Sequence, residues 1–315
     1  MRKITALLLA AVTAAGCLSC ADGTGQETGT PPVIERVVMF GVDGAGDFWK
    51  DATTPRLDEI FAAGAVTHTM QAMLPTITAQ NFGSMLLGVS PEVHGFNNDI
   101  ANAYKDNPGQ TSPGYPATAT GADPDVIAQV PSVFKAVRDA LPDAGLACFS
   151  QWAGIHKAYI EADIGVDTWS SYDEQVAAHA VDYFRSAETL PAFTFIQFAQ
   201  TDAVGHASGW GSTEFLEELR LKDSYIGVIY DVLDELGALD TTLFIVTADH
   251  GGHAYTHGDD VASDRNVYTA VTGPGVRSGQ IGDMRTVDLP VVVLTALGID
   301  KPQAWEGKVP DGIFA

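Results

Sequence analysis

Three aspartates close three apolar, β-branched runs. Asp43 follows Val37 to Val42, Asp202 follows Phe193 to Phe198, and Asp249 follows Leu243 to Val246. Histidine comes close behind two of them, in Thr201-Asp202-Ala203-Val204-Gly205-His206 and Thr247-Ala248-Asp249-His250-Gly251-Gly252. His253 and His257 follow in the next loop, so four of the chain's eight histidines lie between 206 and 257. Carboxylate plus neutral imidazole is the ligand chemistry of zinc and related divalent ions. Open parallel sheets bind ligands beyond the carboxyl ends of their strands, which makes these strand-end residues a metal-site pattern. A second chemical group lies in Leu74-Pro75-Thr76-Ile77-Thr78-Ala79-Gln80-Asn81, where two hydroxyls meet a turn entering a helix. A helix amino end and a bound cation both favour an alkoxide, so either threonine is a candidate nucleophile. The alternative is that the hydroxyl only caps the helix.

The elements that must position these residues alternate between strand-like and helix-like patterns. That alternation predicts an α/β fold, a three-layer α/β/α sandwich with a mainly parallel central sheet. Strands are expected at Val37 to Val42, Val66 to Ala72, Gly145 to Ser150, Phe193 to Phe198, Leu243 to Val246 and Asn266 to Val271. Helices are expected from Thr54 to Ile60, Ala79 to Leu87, Ser132 to Leu141, Asp173 to Ser186 and Thr213 to Leu236, and Leu289 to Leu297 completes the domain. Asn97 to about Ile127 is polar and rich in Gly, Pro, Ala and Thr, and reads as a long loop bordering the substrate site.

The chain has 315 residues, 46% hydrophobic and 18% charged, which suits one large globular domain. Its formal net charge of −23 is spread along the chain and repels nucleic-acid backbones, so no nucleic-acid partner is expected. A small anionic substrate stays compatible with that charge, because metal ions invert the field inside a pocket. Arg2 and Lys3 precede an apolar stretch from Ile4 to Ala15, the pattern of a signal peptide over residues 1–16. Ala14-Ala15-Gly16-Cys17 resembles a bacterial lipoprotein cleavage site, with Cys17 the lipidated residue. Residues 17–32 read as a flexible tether and 33–315 as the catalytic domain. The expected location is extracytoplasmic, in the bacterial periplasm or cell envelope, with membrane contact through the lipid anchor alone. Cys148 sits in an apolar run and reads as a buried structural thiol, with no disulfide framework.

Pro75-Thr76-Ile77-Thr78-Ala79-Gln80-Asn81, followed by Gly88-Val89-Ser90-Pro91-Glu92-Val93-His94-Gly95, resembles the type I phosphodiesterase/nucleotide pyrophosphatase branch of the alkaline phosphatase superfamily. Val42-Asp43-Gly44, the Thr201 to His206 segment and Asp249-His250-Gly251-Gly252 match its other signatures in the same order. The resemblance spans Val37 to Gly307 and implies an alkaline phosphatase-like fold. It implies two Zn²⁺ ions, or other divalent ions, one held by Asp202, His206 and His257 and the other by Asp43, Asp249 and His250. His253 competes with His257, although Gly258 follows His257 as the family pattern requires. Thr78 would be the nucleophile. A donor asparagine to the phosphoryl oxygen is expected at Asn98, with Asn97 adjacent and the copied register landing on Asp99.

The implied activity is hydrolysis of a phosphodiester or pyrophosphate bond through a phospho-threonine intermediate, with a nucleotide among the candidate small phosphoester substrates. A phosphomonoesterase on the same scaffold is the main alternative. It is disfavoured because neither Thr76 nor Thr78 has a basic neighbour to hold the extra phosphate charge. A sulfatase needs Cys/Ser-x-Pro-x-Arg, and no such motif occurs. A ligand-binding protein on a degenerate hydrolase scaffold is disfavoured because all six ligand positions are filled. Trp49, Tyr104, Tyr115, Trp152 and Trp210 are candidates for a base-stacking surface, each set against ordinary packing.

Overall fold

Residues Arg36–Val42 (β1) are β-branched or apolar at nearly every position, and from Val37 onward all are buried. A strand with no polar face must be covered on both sides, as the central strand of a two-faced sheet is. The computed structural model, which describes residues 33–106 and 130–314, places β1 in that position. The expected signal peptide, the tether with Cys17, and Tyr115 lie outside the described residues.

In chain order the further elements are α1 (Pro55–Ile60), β2 (Ala65–Gln71), α2 (Thr78–Leu87), α3 (Pro91–His94), α4 (Asn98–Asp106) and α5 (Val133–Ala140). Next come β3 (Leu146–Ser150), α6 (Gly154–Tyr159), β4 (Asp167–Ser170), α7 (Asp173–Ser186), β5 (Phe193–Phe198), α8 (Gln200–Ser208) and α9 (Thr213–Glu235). The chain closes with β6 (Thr242–Thr247), α10 (Ala262–Arg265), β7 (Asn266–Thr272), β8 (Gly279–Gln280) and α11 (Leu289–Ala296). The eight strands form one sheet in the order β4-β3-β5-β1-β6-β7-β2-β8. Only β7 runs against the rest, so the sheet is mainly parallel. Helices α1, α7, α8 and α9 pack among themselves as one group, and α2, α3, α4, α5, α6 and α11 as another. The result is the three-layer α/β/α sandwich of the alkaline phosphatase-like fold. No helix of the described residues is long and apolar enough to cross a membrane.

Register delivers the site. Val42 of β1 lies beside Phe198 of β5, and Gly41 beside Thr247 of β6. The residues that follow these three strands therefore emerge together at one edge of the sheet.

Two expectations need correction. Part of the stretch read as a loop from Asn97 is helical: Asn98–Asp106 forms α4, with Ala101 and Tyr104 buried. Their three-residue spacing is a single helical turn, too short a signal to stand out in a polar segment. Asp202 is also not at a strand end. The chain turns at Ala199, and Asp202 is the third residue of α8, with His206 one turn further on the same face.

Candidate active site and metal centre

Asp43 leaves the end of β1, and Gly44 turns the chain there at a φ of 68°. A Cβ on Gly44 would meet Asp202 Cα at 3.0 Å, so glycine lets the first and second aspartates approach. Asp43, Asp249 and His250 are buried, Asp202 and His257 are partly covered, and the His206 side chain is 45% exposed. The site therefore runs from a dry floor to a wet rim.

Three histidines share one arrangement. His250 Nδ1 lies 2.8 Å from the Gly251 carbonyl, His257 Nδ1 2.8 Å from the Thr76 carbonyl, and His206 Nδ1 2.9 Å from the Tyr255 carbonyl. A carbonyl only accepts, so each Nδ1 carries the proton and donates it, which leaves each Nε2 with a lone pair. Those lone pairs face carboxylates. His250 Nε2 is 3.2 Å from Asp249 Oδ2 and 3.6 Å from Asp43 Oδ1. His257 Nε2 is 3.5 Å from Asp202 Oδ1, and His206 Nε2 is 3.5 Å from Asp202 Oδ2. Acceptor facing acceptor needs a proton or a cation between them. A proton is disfavoured at His250, whose imidazole is held well below its ordinary range by burial and then by His257.

The carboxylates report the same shortage of positive charge. Asp43 is held well above the usual carboxylate range by burial, then by Asp249 and Asp202. Burial is also the main cause of the rise at Asp249. At Asp202 it outweighs the opposing pull of His257 and His206. Asp202 Oδ1 and Asp249 Oδ2 are buried with no hydrogen-bond partner. Asp202, His206 and His257 bring ligand atoms within 4.8 Å of one another, as do Asp43, Asp202 and His250, which makes Asp202 common to both groups. Orphaned oxygens beside lone-pair nitrogens are the donor set a divalent cation takes up.

Thr78 is the first residue of α2, and Ile77 is its N-cap. Its Oγ1 lies 3.2 Å from His250 Nε2 and donates to Asp43 Oδ1 at 3.4 Å. The hydroxyl thus faces the acid cluster and does not cap the helix. Thr76 is buried and has a different task. Its Oγ1 donates to the Asp259 carbonyl at 3.1 Å and accepts from the Gly258 amide at 3.1 Å, and its carbonyl receives His257. Thr76 therefore seats the loop that brings in His257. Asn98 Oδ1 accepts the Ala79 amide at 3.0 Å, which places its side chain at the start of α2 beside Thr78. Asn97 Oδ1 instead accepts the Ile100 amide at 2.9 Å and caps α4. His253 turns away from Asp202: its Nδ1 bonds Asp264 Oδ1 at 2.8 Å, which raises its pKa. His94 is wholly structural. It accepts the Phe96 amide at Nδ1 and donates to the Gln80 carbonyl from Nε2, each at 3.0 Å.

The sequence of the type I phosphodiesterase / nucleotide pyrophosphatase family matches residues 37–284. The chain belongs to this family. Ectonucleotide pyrophosphatase/phosphodiesterase family member 3 of Rattus norvegicus is 24% identical over 305 residues, covering 86% of this chain and 30% of that protein. The chain thus spans less than a third of the length of this curated relative. Murine ectonucleotide pyrophosphatase / phosphodiesterase 5 superposes with a TM-score of 0.70 at 14% identity, covering 88% of this chain and 100% of that one. Its inactive threonine-to-alanine variant, solved with AMP, superposes with a TM-score of 0.69 at 13% identity, covering 87% and 97%. A 2-O GAG sulfatase shares the scaffold at a TM-score of 0.64 and 12% identity, covering 88% and 73%.

Beside this phosphodiesterase-family site lies a supporting residue that sequence reading missed. Gln197, buried in β5, donates from Nε2 to Asp43 Oδ2 at 3.2 Å and accepts the Trp152 amide at 3.0 Å. A glutamine inside Phe193-Thr194-Phe195-Ile196-Gln197-Phe198 was the available signal, because buried polar side chains need partners. Trp210 donates from its indole to the Gly44 carbonyl at 2.8 Å and meets His206 edge-on at 5.0 Å. It packs behind the histidines and does not present a stacking face. Trp49 and Tyr104 are buried as well. Cys148 is buried too, and burial pushes its thiol pKa up, as expected of an inert structural cysteine.

Proposed function

We propose that this chain is a metal-dependent phosphodiesterase/nucleotide pyrophosphatase that uses Thr78 as nucleophile. The observation that carries this reading is the set of three imidazole lone pairs facing two buried carboxylates and a third, partly covered one beside the Thr78 hydroxyl. Asp202, His206 and His257 would hold one ion. Asp43, Asp249 and His250, whose Nε2 faces both carboxylates, would hold the other, with zinc the best match to this donor set. When bound, such ions neutralise the phosphoryl group and lower the pKa of a nearby hydroxyl.

The chain's own residues supply position. The start of α2 holds Thr78 Oγ1 at the floor of the site, where Asp43 and His250 fix its direction. Oγ1 forms a bond to phosphorus as the bond to the leaving alcohol, or to the second phosphate of a pyrophosphate, breaks. Water then cleaves the phospho-threonine and restores the hydroxyl. Asn98 stands at the same helix start, where its amide nitrogen can donate to a phosphoryl oxygen. The leaving group would exit past His206, on the exposed rim.

A diester or pyrophosphate fits better than a monoester, because among the described residues no lysine or arginine bonds Thr78 to balance a dianion. The AMP bound by the murine neighbour supports a nucleoside monophosphate as product. The ecto- prefix of the relatives' names agrees with an extracytoplasmic location, to which lipidation at Cys17 would tether the enzyme. Rates on a nitrophenyl nucleoside monophosphate diester, a nitrophenyl phosphate monoester and a lipid phosphodiester, measured side by side, test the assignment. The nucleotide diester should be fastest, and a monoester preference would overturn it.

A further inference from the structure

Helix α8 carries Asp202 and His206, yet it starts without a cap of its own. Its N-cap residue is Ala199, which has no side-chain oxygen to accept the helix's first amides. The cap arrives from another helix. Asp173, at the start of α7, accepts the Ala199 amide at Oδ1 (2.9 Å) and the Gln200 amide at Oδ2 (3.0 Å). Lys222 of α9 then places its ammonium 2.8 Å from Asp173 Oδ2. The Lys222 side chain is 1% exposed and that of Asp173 is 4% exposed. Glu218 also pairs with Lys222, and the ammonium lies 5.8 Å from the Phe198 ring centre and 5.2 Å from that of Tyr225.

We propose that Asp173 and Lys222 are positioning residues for the Asp202–His206–His257 cation site, the pair fixing the first turn of α8 so that Asp202 and His206 meet His257. This rests on the metal reading above. Burying an ammonium is costly, and an apolar side chain between Phe198 and Tyr225 would pack without that cost. What the ammonium adds is a fixed partner for Asp173 Oδ2, which holds the carboxylate turned toward both amides. The other cation site depends on this clamp only through Asp202, the one member of the Asp43, Asp202 and His250 group that α8 carries. Asp43 and Asp249 follow β1 and β6, whose register is set by strand pairing, and they are held by Gln197 and the Gly44 amide. Loss of the clamp displaces two members of the first site, Asp202 and His206, and should therefore weaken that site more than the other.

Zinc affinity, measured by competition with a chromophoric chelator, tests this in two backgrounds. Asp249→Asn leaves the Asp202 site intact, and His206→Ala leaves the Asp43 site intact. Lys222→Met should weaken zinc binding about tenfold or more in the first background and several-fold less than that in the second. Circular dichroism would verify that the variant is folded. Unchanged affinity in the first background, or equal weakening in both, would overturn the proposal. Should Lys222→Met fail to fold, Asp173→Asn, which keeps the shape and one acceptor, is held to the same selective loss. Failure of both to fold would assign the pair to folding and overturn the proposal too. Fewer than two zinc ions on the unaltered chain would overturn the metal reading itself, and the clamp's role with it.

Discussion

A threonine hydroxyl loses its proton far above neutral pH, so Thr78 Oγ1 can attack phosphorus only where its surroundings favour the alkoxide. Asp43 and Asp249 work against that when no cation is present, and with cations in place the balance reverses. Thr78→Ala should keep zinc stoichiometry and melting temperature while kcat falls by about 10⁴-fold or more; retained turnover would remove Thr78 from the role. Asn98 acts at a smaller scale. On the proposed reading, Asn98→Ala removes one donor to the phosphoryl group and should lower kcat by about 10²-fold. Asn97→Ala, which uncaps α4, should cost about 1 kcal/mol of stability with little change in kcat. Equal kinetic losses at both positions would reverse that assignment. Residue types and spacing made the candidate ligands legible, because Asp202 and Asp249 are each followed within four residues by a histidine. The division of labour between Thr76 and Thr78 was not legible locally. It depends on Thr76 meeting a loop more than 180 residues away.

At the scale of elements, helix starts are repeatedly held by acids from elsewhere. Asp173 caps α8, and Asp223 of α9 caps α1 through the Leu57 amide at 2.7 Å and the Arg56 amide at 3.2 Å. Helices with their own periodicity were readable: α7 runs Asp173–Ser186 as expected, and α9 stops one residue short. Short elements such as α6 and β4 carry too few residues to show a period. Contacts such as Asp173 to Ala199 join segments whose separation no local pattern encodes. His94 is the same kind of tie, joining α2 to the turn at Phe96. Burial lowers its pKa to about 4 from an ordinary 6.5. The folded state thus binds fewer protons than the unfolded chain between those values. His94 contributes stability that is fully present above pH 6.5 and lost as pH falls toward 4, up to about 3 kcal/mol. His94→Gln should flatten the pH dependence of unfolding free energy in that window relative to the unaltered chain. An unchanged slope in denaturant titrations at pH 4.5, 5.5 and 6.5 would refute it.

The whole molecule carries a net charge of −23, and three of its acids are gathered at the sheet edge where burial works against their charge. Without cations, Asp43 and Asp249 hold protons well above the usual carboxylate range, whereas the unfolded chain releases them near pH 4. A raised pKa gives stability that is present below the unfolded value and lost as pH rises through the folded one. The cation-free protein should therefore weaken from pH 4 upward on account of this cluster. Zinc needs those carboxylates ionised and the histidines neutral, so its affinity grows over the same range. Each site at a hundredfold excess over its Kd contributes about 2.7 kcal/mol, or about 5 kcal/mol for two. For a domain of this size that is roughly ten degrees in melting temperature. Scanning calorimetry of zinc-loaded and chelator-treated protein should show a gap of that order at pH 8 that closes toward pH 5. A gap independent of pH would mean that the carboxylates are not what the ions bind, and a gap wider at pH 5 would contradict the sign of the coupling.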